Sequence, residues 1–235
     1  MGFAARRTAM LLAVCALAAP ASASAMEPTP TGGAGVPVPT GGASAPDSLP
    51  ALTATPHVLV GGVALFRGSF PAREAGRTVA IERFDAKAKS WTAIAGARVD
   101  GDGSYVARWR ADVTGRHLAR ARLERAGDAG ASQLEPAYES TLTVYRPAVA
   151  SWYGPGFFGR TTACGLRMTR TLLGVAHRRL PCGAEVALSY RGRSITVPVV
   201  DRGPFHRNRR WDLTAATAAA LGFTFTDRIG AVRVG

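Results

Sequence analysis

Two dense motifs in the last third of the chain restrict its fold more than any other feature. They read ASWYGPG at residues 150–156 and VVDRGPF at residues 199–205. The second motif ends an apolar, β-branched run with Asp201 and then turns at Gly203-Pro204. Such a run is typical of a buried strand, and Gly-Pro marks a sharp turn after it. We therefore expect a β-barrel here, with Asp201 at its mouth rather than in its core.

The first 25 residues have the pattern of a secretory signal. Arg6 and Arg7 precede a short apolar run, and small residues follow at the expected cleavage position. The run is shorter than the roughly 20 residues that a membrane span needs, and no later segment is long enough. A lipid anchor at Cys15 is disfavoured by Val14 before it, and the arginine pair alone is weak evidence for twin-arginine export. We expect an exported protein.

A linker and a β-sandwich are predicted next. Residues 26–50 are rich in Pro, Gly, Ser, Thr and Ala, which favours a flexible tether. Residues 51–147 loosely resemble bacterial immunoglobulin-like domains and read as a spacer or binding module. Asp100 to Gly103 could form a calcium loop, but a hairpin turn fits better. Seven short segments in this part predict strands, namely 58–60, 63–66, 78–84, 91–94, 105–109, 117–123 and 140–145.

Residues 148–235 predict a small β-barrel with one helix, separated from the sandwich at Arg146-Pro147. Arg191-Gly192 predicts a tight hairpin between two of its strands. Thr214 is a good N-cap, the residues after it are rich in alanine, and Gly222 ends the helix. The predicted strands are 149–153, 185–190, 194–200 and 229–234.

The charge is strongly basic. The chain has a net charge of +13. Residues 148–235 contain 13 arginines and no lysine, but only four acidic residues. Such a field attracts polyanions, but export argues against nucleic acid. Outside a cell the candidates are wall polymers, acidic glycans and membrane surfaces. Alternatively, the surplus reflects a GC-rich genome, because 27 of the 29 basic residues are arginine.

Two cysteines, Cys164 and Cys182, remain once the signal is removed. In an exported protein such a pair most simply forms a disulfide. It would close a loop of 18 residues and add about 3 kcal/mol of stability. Two buried thiols or a metal site are the alternatives, and two thiols without nearby ligands make a poor zinc site.

Five motifs follow one another over about 85 residues, namely ASWYG at 150–154, TACG at 162–165, AHRRLPCG at 176–183, DRGPF at 201–205 and WDLT at 211–214. Their order resembles that of rare lipoprotein A-like (RlpA) proteins. The resemblance implies a six-stranded double-psi β-barrel, a peptidoglycan ligand and, in active members, lytic transglycosylase chemistry. No metal, organic cofactor or protein partner is indicated.

Asp201 is the candidate catalytic acid and base. Cleavage of a glycosidic bond needs a proton donor at the leaving oxygen. A lytic transglycosylase uses the 6-hydroxyl of the sugar as nucleophile, so one acid that donates and then accepts a proton can suffice. Apolar surroundings at the strand end would favour the protonated acid, and Arg202 would oppose this if it pointed the same way. Alternatively, Asp201 only caps the turn after it.

Further site residues follow from the resemblance. His177 is expected to face the groove as a catalytic partner, hydrogen-bonded to Asp201 or to the sugar. Trp152 and Tyr153 point to opposite faces of one strand, so one is expected in the core and the other, preferably Tyr153, in the groove. Asp212 is expected to brace the start of the helix. The expected substrate-binding residues are Tyr153, Trp152, Arg202 and Phe205.

One departure from the family pattern concerns catalysis directly. Leu166 stands where the family usually has a glutamate, and leucine cannot transfer a proton. The preferred interpretation is a wall-associated enzyme that binds and cleaves glycan strands. The first alternative is a non-catalytic, expansin-like protein that binds or loosens the wall. The second is an adhesion or inhibitor module in which charge does the binding.

Overall fold

The structure is a computed structural model that describes residues 51–124 and 138–235. The predicted signal at 1–25, with Cys15, and the predicted linker at 26–50 lie outside the described residues. Within the described ranges, no helix has the length and apolar character needed to cross a membrane.

Strands dominate the described residues. One α-helix, α1, spans Ala215–Leu221, and a short 3-10 turn spans Ala72–Glu74. The strands are β1 Ala51–Ala54, β2 His57–Leu59, β3 Val63–Ser69, β4 Thr78–Asp85, β5 Ser90–Arg98, β6 Ser104–Arg110, β7 Gly115–Leu123, β8 Tyr138–Tyr153, β9 Val175–Ala176, β10 Glu185–Tyr190, β11 Arg193–Asp201, β12 Trp211–Thr214 and β13 Asp227–Arg233.

The N-terminal part has two sheets that share one core. One sheet has the order β1-β3-β6, and in the other β5, β4, β7 and the first half of β8 pair in turn, with β2 beside β8. Phe66 and Tyr105 from the first sheet are buried with Ile81 and Leu142 from the second. Each of the seven predicted segments overlaps a strand, whereas β1 was not predicted. The immunoglobulin-like character of this part stays a prediction.

The turn at Asp100 to Gly103 is tight, because the Gly103 N–H donates to the Asp100 carbonyl over 2.9 Å. It joins β5 to β6, which lie in different sheets. The turn itself has the hydrogen bonds of a hairpin turn, since the Asp100 N–H also donates to the Ser104 carbonyl over 2.8 Å, but the two strands do not continue as a paired hairpin. The segment is a connection between the two sheets.

Strand β8 runs without a break through the predicted boundary at Arg146-Pro147. Its first half pairs with β7 and β2, and its second half pairs with β13 and β12. Side chains add to this connection, since the His57 ring lies 3.0 Å from the Ser194 hydroxyl. The two segments predicted separately at 140–145 and 149–153 are one continuous strand.

A closed barrel of six strands follows. The second half of β8 pairs with β13, and the order continues through β10, β11, β9 and β12 back to β8. Its core includes Val186, Leu188, Val199 and Leu213. The four predicted strands are confirmed, as is the helix, with Thr214 as N-cap and Gly222 in the left-handed conformation after it. Strands β9 and β12 were not predicted because they are too short to show a period.

A close approach at Gly174 brings the end of β11 to the start of β9. A Cβ atom at Gly174 would lie 2.4 Å from a methyl group of Val200, so only glycine fits there. In the pairing that follows, Asp201 is the partner of Ala176. This contact places the loop that begins at His177 beside the end of β11.

Candidate functional site

Asp201 is the last residue of β11 and is half-buried at the barrel end. Its Oδ1 atom accepts the backbone N–H groups of Ala163 and Arg202, both over 2.8 Å. Its Oδ2 atom accepts the Tyr153 hydroxyl over 3.1 Å. The bond to Arg202 is the local contact that a turn-capping role predicts. The other two join segments distant in sequence, so Asp201 is a junction between β8, β11 and the loop around residue 163.

Tyr153 ends β8 and faces this carboxylate, as strand alternation predicts. Its ring lies edge-on to Phe157, with 5.7 Å between the ring centroids. Burial raises the pKa of the Tyr153 phenol far above its usual range, and the negative charge of Asp201 adds to the shift. The hydroxyl therefore stays protonated and donates to Asp201 at neutral pH.

Trp152 lies on the opposite face of β8 from Tyr153. Its side chain is not in the core, because the residue is 38% exposed and its Nε1–H donates to the Thr224 carbonyl over 3.0 Å. The expectation that one member of this pair packs inside the barrel is wrong. Trp152 borders the helix end instead of the Asp201 carboxylate.

His177 follows β9 and is buried. Its backbone N–H donates to the Asp201 carbonyl over 3.1 Å, but its ring makes no hydrogen bond to the Asp201 carboxylate. Instead, Nδ1 accepts the backbone N–H groups of Arg179 and Leu180 over 3.2 and 3.0 Å. The ring also packs on Trp211, with 4.5 Å between centroids.

The protonation state of His177 follows from this environment. Burial lowers the pKa of the imidazole, and the positive charges of Arg210 and Arg178 lower it further. Because Nδ1 accepts two hydrogen bonds, the neutral ring carries its proton on Nε2. In this arrangement His177 can donate from Nε2, whereas a catalytic role beside Asp201 stays a prediction.

Arg202 points away from the Asp201 carboxylate, as alternation along the strand predicts. Its guanidinium donates to the Leu180 carbonyl over 3.0 Å and to the Cys182 sulfur over 3.3 Å. A longer bond of 3.4 Å reaches the His177 carbonyl. Arg202 therefore braces the loop that follows β9, and its predicted contact with substrate stays a prediction.

Phe205 lies in the loop after Asp201 and is 81% exposed. Arg178 holds this loop, because its guanidinium donates to the carbonyls of Pro204, His206 and Arg209. The loop thus presents an aromatic ring to solvent four residues after Asp201. A ring so exposed is free to stack on a sugar face, which is the role predicted for it.

The disulfide between Cys164 and Cys182 is confirmed, with 5.7 Å between the Cα atoms. It ties the loop that supplies the Ala163 N–H to the segment just before β10. Leu166 lies in the same loop and is 44% exposed. Its carbonyl accepts the Thr162 N–H over 2.7 Å, which closes a tight turn.

Asp212 is a second carboxylate that the sequence interpretation assigned to the wrong role. It does not brace the helix start, because the Thr214 hydroxyl caps α1. Instead, its Oδ1 atom accepts the Ser151 hydroxyl over 2.8 Å across the β12–β8 pairing. Burial raises the pKa of the Asp212 carboxyl, and the nearby charge of Asp201 acts in the same direction.

The position of Asp212 depends on strand β12, which is too short to be predicted from the sequence. Trp211 and Leu213 are buried and Asp212 between them is half-buried, which is the alternation of a short strand. No group of three or more His, Cys, Asp or Glu side chains in the described part of the chain is arranged to hold a metal ion. The contacts described above bring together the carboxylate of Asp201, the Tyr153 hydroxyl and backbone donors, and Asp212 lies close enough to feel the charge of Asp201.

Comparison with known proteins shows what this barrel is similar to. A family model described as "Lytic transglycolase" matches residues 147–235. The probable endolytic peptidoglycan transglycosylase RlpA of Synechocystis sp. is 45% identical over 85 residues, which cover 35% of this chain and 26% of that protein. The protein of the same name from Aquifex aeolicus is 48% identical over 80 residues, covering 33% and 35%. The endolytic peptidoglycan transglycosylase RlpA of Neisseria meningitidis serogroup A is 45% identical over 76 residues, 32% of either chain.

Over residues 147–235 the six-stranded barrel is similar to the RlpA proteins.

The match to RlpA proteins is confined to this barrel. The chain spans only about a quarter to a third of the length of these three relatives. The first two β-sheets and everything before them lie outside the matched region.

Proposed function

We propose that the protein is exported and that its RlpA-type barrel binds peptidoglycan glycan strands and cleaves them as an endolytic transglycosylase. The observation that carries the proposal is the position of Asp201. Its carboxylate lies at the end of the barrel, and Tyr153 and two backbone N–H groups hold it in place. A carboxylate held so firmly meets the positional demand of acid–base catalysis.

The proposed reaction uses one sugar ring as its own nucleophile. The glycosidic C1–O bond breaks, and a carboxylic acid of the site gives its proton to the leaving oxygen. The 6-hydroxyl oxygen of the same muramyl residue bonds to C1, and its proton passes to the carboxylate that the first proton transfer left behind. The product is a 1,6-anhydro end, no water is consumed, and the site returns to its starting protonation.

Asp212 supplies a second carboxyl group in this proposal. Two carboxyl groups whose environments differ suit an acid and a base at one site. Asp201 accepts three hydrogen bonds, whereas the Asp212 carboxylate accepts one, from Ser151, and has a raised pKa. Asp201 is assigned the contact with the glycosidic oxygen, and Asp212 is assigned the role of proton store in place of the missing glutamate.

The remaining residues have supporting roles in the proposal. Phe205 and Tyr153 contact the sugar, and Arg202 orders the loop of His177. Residues 51–147 act as an immunoglobulin-like spacer or as a further binding module. Continuity of β8 would then hold the barrel at a constant orientation to that module.

A second candidate is a protein that binds or loosens the wall without cleaving it. Leu166 favours this alternative, because an exposed leucine replaces a residue that could transfer a proton. The intact Asp201 arrangement favours the enzyme.

Digestion of purified peptidoglycan sacculi tests the two candidates. The full chain and its Asp201→Asn variant are incubated with sacculi, and soluble products are read by mass spectrometry. Anhydro-muramyl ends with the parent alone, and a folded but inactive variant, are the expected result. Sacculi that both proteins bind and neither cuts would overturn the enzyme and leave the binding protein.

A further inference from the structure

Two arginine-rich loops line one cavity at the side of the barrel. One loop follows β9 and the other precedes β12, and the cavity between them has a volume of about 360 Å³. No carboxylate lines it. Besides one asparagine, the lining residues are His177, Arg178, Arg179, Arg207, Arg209 and Arg210.

The arginines of this cavity have two different roles: one holds the loops together, and the others have no hydrogen-bond or ion-pair partner among the described residues. The Arg178 guanidinium donates hydrogen bonds to three backbone carbonyls of the facing loop, and these bonds hold the two loops together. Among the described residues, the guanidinium groups of Arg179, Arg207, Arg209 and Arg210 have neither an ion-pair nor a hydrogen-bond partner. Four guanidinium groups without an ion-pair partner among the described residues therefore surround one concavity, and Arg209 is near enough to Asp212 to lower the pKa of its carboxyl.

A second cavity extends this surface. It has a volume of about 260 Å³ and shares His177 and Arg210 with the first. Arg146 and Arg233 add two more positive charges there, and again no carboxylate lines it. We call the two joined cavities the basic trough. The lowered pKa of His177, caused by burial and then by Arg210 and Arg178, agrees with a positive field along it.

We propose that the basic trough binds a linear anionic polymer whose charges are phosphodiester groups. A single carboxylate of a peptide substituent would neutralise only one of the four guanidinium groups, whereas a phosphodiester chain brings a charge with every repeat. Guanidinium groups match phosphate oxygens with paired hydrogen bonds. Two concavities that share His177 and Arg210 suit successive charges of one chain better than a flat membrane. The proposal rests on the proposed function only for the export that brings the protein to such polymers.

Binding of poly(glycerol phosphate) to the full chain tests the proposal by calorimetry over a range of salt concentrations. The variant Arg179→Gln/Arg207→Gln removes two exposed charges of the trough. Its matched control, Arg193→Gln/Arg228→Gln, removes two exposed barrel arginines that line neither cavity. The trough variant is expected to lose about tenfold or more in affinity and about two units of the salt slope, as for lost phosphate contacts in other polyanion complexes. The control is expected to keep both within about twofold of the parent.

Three results would overturn the proposal. Equal losses of affinity in the trough variant and the control variant would show that the polymer responds to the overall positive charge and not to the trough. Competition by poly(glutamate) as strong as by the phosphate polymer would identify a carboxylate site. Tighter binding to vesicles of equal parts phosphatidylcholine and phosphatidylglycerol, lost in the trough variant, would identify a membrane-binding surface.

The Asp201→Asn variant separates this proposal from the proposed function. It is expected to bind poly(glycerol phosphate) as tightly as the parent, since Asp201 does not line the trough. If the parent protein binds the polymer but does not cleave sacculi, the proposed transglycosylase activity is overturned and the trough proposal stands. If the parent protein cleaves sacculi but does not bind the polymer, the trough proposal is overturned and the proposed activity stands.

Discussion

At the scale of single residues, the site pairs two carboxylates in contrasting surroundings. Asp201 accepts three hydrogen bonds, two of them from backbone N–H groups. Asp212 accepts one from Ser151, and burial raises the pKa of its carboxyl. Because a desolvated carboxylate with few donors resists ionisation, Asp212 retains its proton to higher pH than an exposed aspartate.

The raised pKa of Asp212 makes stability depend on pH in a defined direction. The folded state holds this proton more tightly than the unfolded chain, whose aspartate pKa is about 3.9. The resulting stabilisation is fully present below that value and is lost as pH rises through the folded-state pKa. Asp212→Asn is expected to remove this dependence. The melting temperature of the variant minus that of the parent should therefore increase as the pH is raised from 4 to 7. Ser151→Ala, which keeps the carboxyl, should retain the dependence; parallel pH profiles for Asp212→Asn and the parent would contradict the assignment.

Leu166 offers a test at the same scale. Its side chain is 44% exposed, so a glutamate fits without burial of charge. Leu166→Glu is expected to raise the yield of anhydro-muramyl ends on the order of tenfold, since a positioned carboxyl contributes to proton transfer. Leu166→Gln has the same shape without the proton and should not. Equal yields from the two folded variants would show that a carboxyl at this position does not limit the reaction.

At the scale of elements, the loops between the barrel strands build the site. The loop around Ala163 supplies a donor to Asp201, and the loop after β9 carries His177. Neither loop contains a long strand or helix. The Cys164–Cys182 disulfide and the Arg202 guanidinium hold them in place instead.

Reduction of the disulfide is therefore expected to affect both stability and activity. Opening a loop with 18 residues of sequence separation should cost about 3 kcal/mol of unfolding free energy. The melting temperature should fall, and turnover should fall with it at temperatures where the barrel is still folded, because the Ala163 donor is released. Thermal denaturation with and without reductant measures the first effect. Cys164→Ser/Cys182→Ser is the control that reductant should leave unchanged; the same loss in this variant would point to a cause other than the disulfide.

At the scale of the whole molecule, β8 belongs to the N-terminal sheets and to the barrel at once. Its 16 residues pair with four other strands. Hydrogen bonds from Arg116 to Thr196 and between His57 and Ser194 connect the two parts further. The described residues belong to one compact unit.

A shared strand predicts shared unfolding. Calorimetry of the full chain is expected to give one transition, since loss of either part removes half of the partners of β8. A variant with a flexible Gly-Ser insertion between Arg146 and Pro147 is the control, and it should give two transitions. Two transitions already in the parent would mean that the parts unfold independently in spite of β8.

Much of the fold could be read from the sequence because it depends on local patterns. Alternating residues predicted the strands at 185–190 and 194–200, and Thr214 and Gly222 predicted both ends of α1. The two-residue strand β9 and the four-residue β12 could not be predicted, since their hydrogen bonds come from partners distant in sequence. The continuity of β8 through the predicted domain boundary at Arg146-Pro147 has the same origin, because β7, β12 and β13 hold the chain extended on either side of it, and the boundary itself stays a prediction.

By itself, the sequence determined the barrel, its helix, the cysteine pair and the position of Asp201 at a strand end, because periodicity, capping and turn chemistry act between near neighbours. Only the tertiary structure decided what surrounds that carboxylate. It turned the His177 ring toward backbone donors, exposed Trp152, and placed Asp212 beside Ser151. Orientation, burial and the electrostatic effect of one side chain on another depend on distances across the closed barrel, and these arise only when all six strands have paired.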